Sequence, residues 1–345
     1  MKLLICTQKI DRNDPILGFF HRWVKEFAKH SGQVTVICLE KGEYDLPQNV
    51  RVLSLGKEEG KGRLTYLSRF YRYIWHERTN YDAIFVHMNQ EYVLLGWLPW
   101  RLLGKRIFMW RNHAKGSWLT RLAVLLSDKV FCTSPQSFTA NFKKTELMSV
   151  GVDTDFFKPD SSVHKRPHSI LFLGRIAPVK RVDMFIEALR ILKDKGIDFT
   201  ATIAGNSLPR DAEYETMIRN KVLTHGLSSQ VVFTGSASRT QARDLYREHE
   251  LYVNLTPSGS LDKTIFEALA SGLKVVISNN FFEGKLPKRW VITDDSDAHV
   301  IAATLEDVLS EGSEIVNDIA SFTKKHSLKS LMDVLVTAMN ASSAK

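Results

Sequence analysis

Short apolar runs alternate along the chain with longer stretches of helical periodicity. In the first half KLLICT, VTVICL, AIFVHM (83–88), RIFMW (106–110) and KVFCTS (129–134) read as strands. They are short, rich in branched and aromatic residues, and bounded by polar turns. Between them FFHRWVKEFAKH, LTYLSRFYRYIWHER and EYVLLGWLPWRLL carry apolar residues at helical spacing. The alternation restarts with SILFLGR, RVDMFIEALRILKDKG, FTATIAG, DAEYETMIRNKVLTHG, VVFTG and RTQARDLYREHE. Strand–helix alternation predicts parallel sheets covered by helices, with ligands at the carboxyl ends of the strands.

The two series are separated by GVDTDFFKPDSSVHKRPHS (151–169), where Pro159, Pro167 and mixed charge interrupt the periodicity. This stretch reads as an interdomain connection. A chain of 345 residues also suits two domains of about 150 residues each better than one core. The predicted architecture is therefore α/β, with Rossmann-like domains over 1–155 and 156–320 facing a cleft. Over 322–342, Leu328, Leu331, Met332, Leu335, Val336 and Met339 recur at the spacing of one buried helical face. That stretch is expected to form a final helix within 321–345.

Charge changes the picture because it is divided unequally. Residues 1–150 hold 23 Lys and Arg against 13 Asp and Glu, a balance of +10; residues 151–345 hold 24 against 25, a balance of −1. A basic chain can bind nucleic acid, but no nucleic-acid motif accompanies the charge, so that partner class is set aside. Within the basic half, RLTYLSRFYRYIWHER (63–78) is amphipathic. Its wheel puts Leu64, Leu67, Tyr71, Ile74 and Trp75 on one face and Arg69, Arg72 and His76 on another. Such a helix is either a solvated domain helix or one that lies on an anionic membrane through Arg69 and Arg72.

No stretch reaches the ~18 apolar residues of a membrane span, and the apolar run of MKLLICTQKI is too short for a signal peptide. Cys6, Cys38 and Cys132 each sit in an apolar run, which predicts reduced core thiols and a cytoplasmic protein, at most peripheral to the membrane's inner face.

Candidate chemistry concentrates in the second half. LYVNLTPSGSLDKTIFEALASGLKVVI (251–277) reads as strand, polar loop, helix, glycine break and strand. The loop offers backbone N–H groups at a helix start, Lys263 adds charge there, and Glu267 follows one turn later. In LFLGRIAPVKR, Arg175 and Lys180 stand at a strand's carboxyl end, where a planar fork and a point charge suit a diphosphate. A basic loop of this kind is equally often merely solvated.

GRxxxxK after a strand, AG ending the next, VVFTG and FEALASGLKVV closely resemble the retaining GT-B glycosyltransferases of family 4, the glycosyl transferases group 1. The likeness is strongest over 170–278. Gly18 beside the first helix, MWRNH (109–113), TSPQSF and GVDTDFFKP carry it more loosely through the rest.

The resemblance implies a metal-independent, retaining transfer of a hexose from a nucleotide diphosphate sugar to an acceptor hydroxyl on a glycan or lipid-linked glycan. No cofactor beyond that substrate is implied. It implies a donor site on the second domain, an acceptor site on the first, and a final helix returning to the first. By the same resemblance Arg175 and Lys180 bind the diphosphate, Glu267 the ribose hydroxyls, and His113 faces the reacting sugar. Gly18 would allow close approach to the phosphates, and Gly174, Gly205, Gly259, Ser260, Leu261, Asp262, Lys263 and Thr264 would line the donor.

One position departs from the family pattern. The family commonly has a glutamate eight residues before Glu267, and here that residue is Gly259. The loop reads SLDK instead, so Asp262 or Lys263 is expected to replace the missing carboxylate in hexose recognition. Asp153-Thr154-Asp155 mimics a metal-binding DxD, but its place in the connection argues against that role, and no metal site is expected. A sugar-nucleotide epimerase of the same architecture and a binding subunit without turnover are the alternative readings; Gly259 favours the second.

Overall fold

The computed structural model describes residues 1–14, 17–259, 261–292, 294–311 and 317–341. Ser260 of the predicted donor loop lies outside the described residues. The chain forms two units: Met1–Gly151 with the chain from Leu328, and Val152–Ser327. At the crossings between them, the Val152 amide donates to the His326 carbonyl at 2.9 Å and Val152 bridges to Ser327.

In the first unit the order is β1 (Lys2–Ile10), α1 (Gly18–Lys29), β2 (Gln33–Lys41), β3 (Val50–Ser54), α2 (Arg63–His76), β4 (Ala83–His87), α3 (Glu91–Leu102), β5 (Arg106–Trp110), α4 (Trp118–Leu126), β6 (Lys129–Cys132) and β7 (Thr145–Leu147). All seven strands are parallel, in the order β3-β2-β1-β4-β5-β6-β7. Sequence pattern missed β3 and β7, the two edges. An edge strand pairs on one side only and needs no continuous apolar run, and VRVLS carries Arg51 in its middle.

Side chains alternate across the sheet. Leu3 and Ile5 join one core with Phe20, Trp23 and Phe27 of α1, whereas Leu4 and Cys6 join the other with α2, α3 and α4. Fully burying an aromatic such as Trp23 contributes about 2–3 kcal/mol.

The first core is closed by the chain's last helix. The single helix expected over 322–342 is instead two, broken at His326–Ser327. Its second part, Leu328–Ala341, buries Leu331, Met332, Leu335 and Met339 against the same sheet face as α1.

The amphipathic face read for α2 is also corrected. Of its expected apolar face only Ile74 is buried, together with Phe70; Leu64, Leu67, Tyr71 and Trp75 are exposed. Phe70 and Ile74, one turn apart, set the rotation of the helix, so the longer apolar stripe points outward. Arg69 does not stand on an open basic face: its guanidinium pairs with Glu59 at 2.8 Å. Arg72 is exposed.

The second unit contains β8 (Ser169–Leu173), α5 (Val182–Asp194), β9 (Thr200–Ala204), α6 (Ala212–Thr224), β10 (Val231–Gly235), α7 (Arg239–Glu248), β11 (Leu251–Asn254), α8 (Lys263–Ala270), β12 (Lys274–Ile277), α9 (Ala298–Ser310) and α10 (Asn317–Lys325); α11 is the Leu328–Ala341 helix of the first unit. Its five strands are parallel, in the order β10-β9-β8-β11-β12. The order reverses between β8 and β11, which lie side by side with Leu171 opposite Tyr252. Loops leaving two such strands diverge to opposite faces and open a crevice at their carboxyl ends.

Candidate active site

That crevice is where the two motifs of the second half meet. β8 delivers Gly174, Arg175 and Lys180; β11 delivers the loop ending at Asp262 and the start of α8. Arg175 is exposed, and no described residue pairs with its guanidinium. Lys180 is fastened instead: its Nζ lies 2.5 Å from Asp262 Oδ2 and 3.1 Å from Thr256 Oγ1. The same Asp262 oxygen accepts from Asn254 Nδ2 at 3.0 Å and from Thr256 Oγ1 at 2.8 Å. Burial alone would raise the Asp262 pKa, but the Lys180 charge and these hydrogen bonds hold it below the ordinary aspartate value.

The sequence points Lys180 at phosphate and Asp262 or Lys263 at the sugar; in the structure Lys180 and Asp262 are one ion pair. The sequence pattern misses Asn254 and Thr256, although polar residues closing the apolar strand LYVN are a visible signal.

Lys263 stands at the start of α8, as the sequence implies. Its Nζ is buried, and burial lowers its pKa to about 7 against the opposing pull of Glu267. Glu267 accepts from the Tyr246 hydroxyl at 3.3 Å. Burial raises its pKa, while the charges of Lys263 and Arg239 work the other way. Arg239 in turn pairs with Asp153 at 2.7 Å, which gives the first carboxylate of the DTD run a partner. Thr264 has its Oγ1 2.8 Å from the Tyr252 hydroxyl and so is tied to strand β11. Leu261 is half-buried between these groups in sequence.

Two glycines have opposite reasons. A Cβ on Gly205 would sit 1.8 Å from the Gly174 carbonyl oxygen, so the ends of β8 and β9 approach as they do only because Gly205 has no side chain. Gly259 has open space around it but a φ of +131°, backbone that a glutamate adopts only with strain. The missing family carboxylate therefore goes with a different loop conformation.

In the first unit, the loop after β5 carries Arg111, Asn112 and His113. The Lys115 amide lies 3.0 Å from His113 Nδ1 and donates to it, and the His113 carbonyl accepts from the Phe138 amide at 2.9 Å. Asn112 Oδ1 accepts from the Thr133 amide at 2.7 Å. MWRNH and TSPQSF, separate signals in the sequence, are thus one fastened loop pair, with the His113 side chain exposed. Gly18 opens α1; its close neighbour is the Arg12 carbonyl, 3.1 Å from where a Cβ would stand, so its smallness already serves local packing.

The sequence model described as "Glycosyl transferases group 1" matches residues 153–326, and that described as "Glycosyl transferase 4-like" matches 17–110. The lipopolysaccharide core biosynthesis mannosyltransferase LpcC of Rhizobium leguminosarum bv. viciae is 25% identical over 60% of this chain. Its counterpart LpsB of Rhizobium meliloti (strain 1021) is 23% identical over 60% of it. Each match spans 59% of the relative's length. Among solved structures, that of Anabaena Alr3699/HepE in complex with UDP superposes with a TM-score of 0.78, covering 99% of this chain and 100% of that one at 16% identity. At that identity the likeness establishes the fold: two parallel-sheet α/β domains of GT-B type.

Proposed function

The chain belongs to the family of glycosyl transferases group 1, and on that premise we propose that it moves a hexose from a nucleotide diphosphate sugar to an acceptor hydroxyl. The observation that carries this reading is that the loop leaving β8 at the β8–β11 switch point holds both an exposed Arg175 and an anchored Lys180. Their two charges suit the diphosphate as it departs, when negative charge on its oxygens grows and preorganised cations stabilise it most. The transfer is retaining and needs neither metal nor protein base: the departing phosphate oxygen takes the acceptor proton on the face it leaves. Glu267 receives the nucleoside hydroxyls, and His113 belongs to the acceptor side.

The hexose is read as mannose and the acceptor as a lipopolysaccharide core or another lipid-linked glycan, after the two rhizobial relatives. The second unit holds the donor and the basic first unit the acceptor. Work at the inner face of a membrane is part of the same reading, and three buried, free cysteines support a reducing compartment.

The test is a panel of UDP-, GDP- and ADP-hexoses, with and without core oligosaccharide, read by mass spectrometry. Slow hydrolysis of one donor, and gain of one hexose by the acceptor, are expected. An isomerised donor would replace this reading with an epimerase. Donor binding without turnover would make the chain a binding subunit, the reading that Gly259 favours.

A further inference from the structure

The outer surface of the α2–α3–α4 layer is apolar on all three helices. On α2 the exposed residues Leu64, Leu67, Tyr71 and Trp75 form one stripe, with Leu64 84% and Trp75 58% exposed. On α3 the stripe is Leu98 and Leu102, the latter 79% exposed. On α4, Trp118, Leu122 and Leu125 follow one another at helical spacing, Trp118 71% exposed.

The three helices are neighbours on one sheet face. The Tyr71 hydroxyl of α2 donates to the Leu95 carbonyl of α3 at 3.1 Å, and all three helices contribute to the same core beneath. Phe70, Ile74, Trp100 and Val124 fill that core, so the outward stripes are not needed for it. Nine large apolar side chains on one layer exceed the scattered exposure of an ordinary surface.

Charge identifies the occupant. The three helices carry five arginines, Arg63, Arg69, Arg72, Arg101 and Arg121, against one acidic residue, Glu91; Arg69 and Arg101 are paired with Glu59 and Asp128 outside the helices. Arg63, Arg72 and Arg121 are exposed, and Arg78 lies over the Trp75 ring at 4.7 Å. Exposed tryptophan and leucine flanked by arginine, with almost no acid, complement an anionic lipid surface: the rings seat at headgroup depth while the guanidiniums meet phosphates. Among the described residues no helix is long and apolar enough to cross a membrane, so a contact through this layer is made by lying on the bilayer.

We infer that the α2–α3–α4 surface is a membrane-docking face that seats the first unit on an anionic bilayer. Each helix follows a strand, so its N-terminal end lies toward the carboxyl edge of the sheet, and α4 begins at Trp118, just after the loop of His113. A docked unit thereby brings the candidate acceptor loop to the lipid surface. The inference deepens the proposed lipid-linked acceptor and rests on it only for that consequence; docking itself requires no catalysis.

The test is flotation of the full chain with vesicles of phosphatidylcholine and phosphatidylglycerol, against phosphatidylcholine alone, without donor or acceptor. Expected are binding to the mixed vesicles, a blue shift of tryptophan emission, and weakening as salt rises. Trp75→Ser with Trp118→Ser should weaken binding about tenfold or more, and Arg72→Glu with Arg121→Glu should abolish the preference for anionic lipid. Leu223→Ser, an exposed leucine of the second unit, should leave binding unchanged. These substitutions replace exposed residues, and an unchanged Tm verifies folding. No binding by the wild type, or equal binding by the tryptophan pair, overturns the inference. So does a stable dimer that the tryptophan pair dissociates, without vesicle binding. Hexosyl transfer to a water-soluble acceptor, measured separately, reports on the proposed activity whichever way docking falls.

Discussion

Asp262 Oδ2 and Lys180 Nζ stand 2.5 Å apart although 82 residues separate them along the chain. Asp262 is thereby a positioning residue for the lysine that the proposed mechanism aims at the diphosphate. Asp262→Asn keeps the shape but removes the charge that holds Lys180. Turnover should fall about tenfold to a hundredfold with donor choice unchanged, and stability by about 1–3 kcal/mol, because a half-buried lysine loses its counter-charge. A change of preferred donor in steady-state kinetics would instead make Asp262 a sugar contact.

Arg175→Ala removes a side chain that no described residue engages. Its melting temperature should stay within about 1 °C of wild type, since exposed positions of this kind are nearly neutral. Its kcat/KM should fall by about a hundredfold to a thousandfold. Excess chelator, by contrast, should leave wild-type transfer rates unaltered. Loss of rate in chelator would refute the metal-free reading without touching the role of Arg175.

Gly205→Ala forces a Cβ to within 1.8 Å of the Gly174 oxygen, and both atoms belong to strand ends that cannot swing aside. Destabilisation of at least about 2 kcal/mol is expected from urea melts. Gly32→Ala, where an added Cβ meets nothing within 4 Å, serves as the control and should be close to neutral. Equal midpoints for the two variants would contradict the close approach.

His249 is buried, with Nδ1 2.7 Å from the Leu245 carbonyl and Nε2 2.8 Å from Thr202 Oγ1. Burial, aided by the charge of Arg166, lowers its pKa to about 4. Between that value and the unfolded value near 6.5, the unfolded chain binds the proton that the folded chain refuses, so stability rises with pH across this window and is lost as pH falls through it. The contribution reaches about 3 kcal/mol. Melts from pH 7.5 to 5 should fall more steeply for wild type than for His249→Gln. His21 and His326, both buried and also lowered to about 4, act in the same direction.

Much of this molecule was legible in its residue pattern. The central strands announced themselves because both their faces are buried, which demands continuous apolar runs. Val50–Ser54 and Thr145–Leu147 did not: the first carries Arg51 in its middle, and the second is three residues long with none of them buried. The break at His326–Ser327 was invisible because neither residue is a glycine or proline, and the apolar positions that carried the helix reading begin only at Leu328. Arg175, Lys180 and Glu267 could be singled out by type and spacing, and Asp262 by the departure from the family pattern at Gly259. Asn254, Thr256 and Tyr246 could not be assigned partners, since their roles depend on which loop each one faces.

Local chemistry along the chain was enough to determine the alternation of strands and helices, the two-domain division and the basic character of the first half, because these depend on neighbours a few residues apart. Tertiary structure alone decided that β8 and β11 lie side by side, and with that the pairing of Lys180 with Asp262 and the burial that lowers the Lys263 pKa. It also decided which way α2 turns: Phe70 and Ile74 found a core, so Leu64, Leu67, Tyr71 and Trp75 were left facing out. Pairing and burial depend on distances through space between segments far apart in sequence, and on those a linear pattern carries no information.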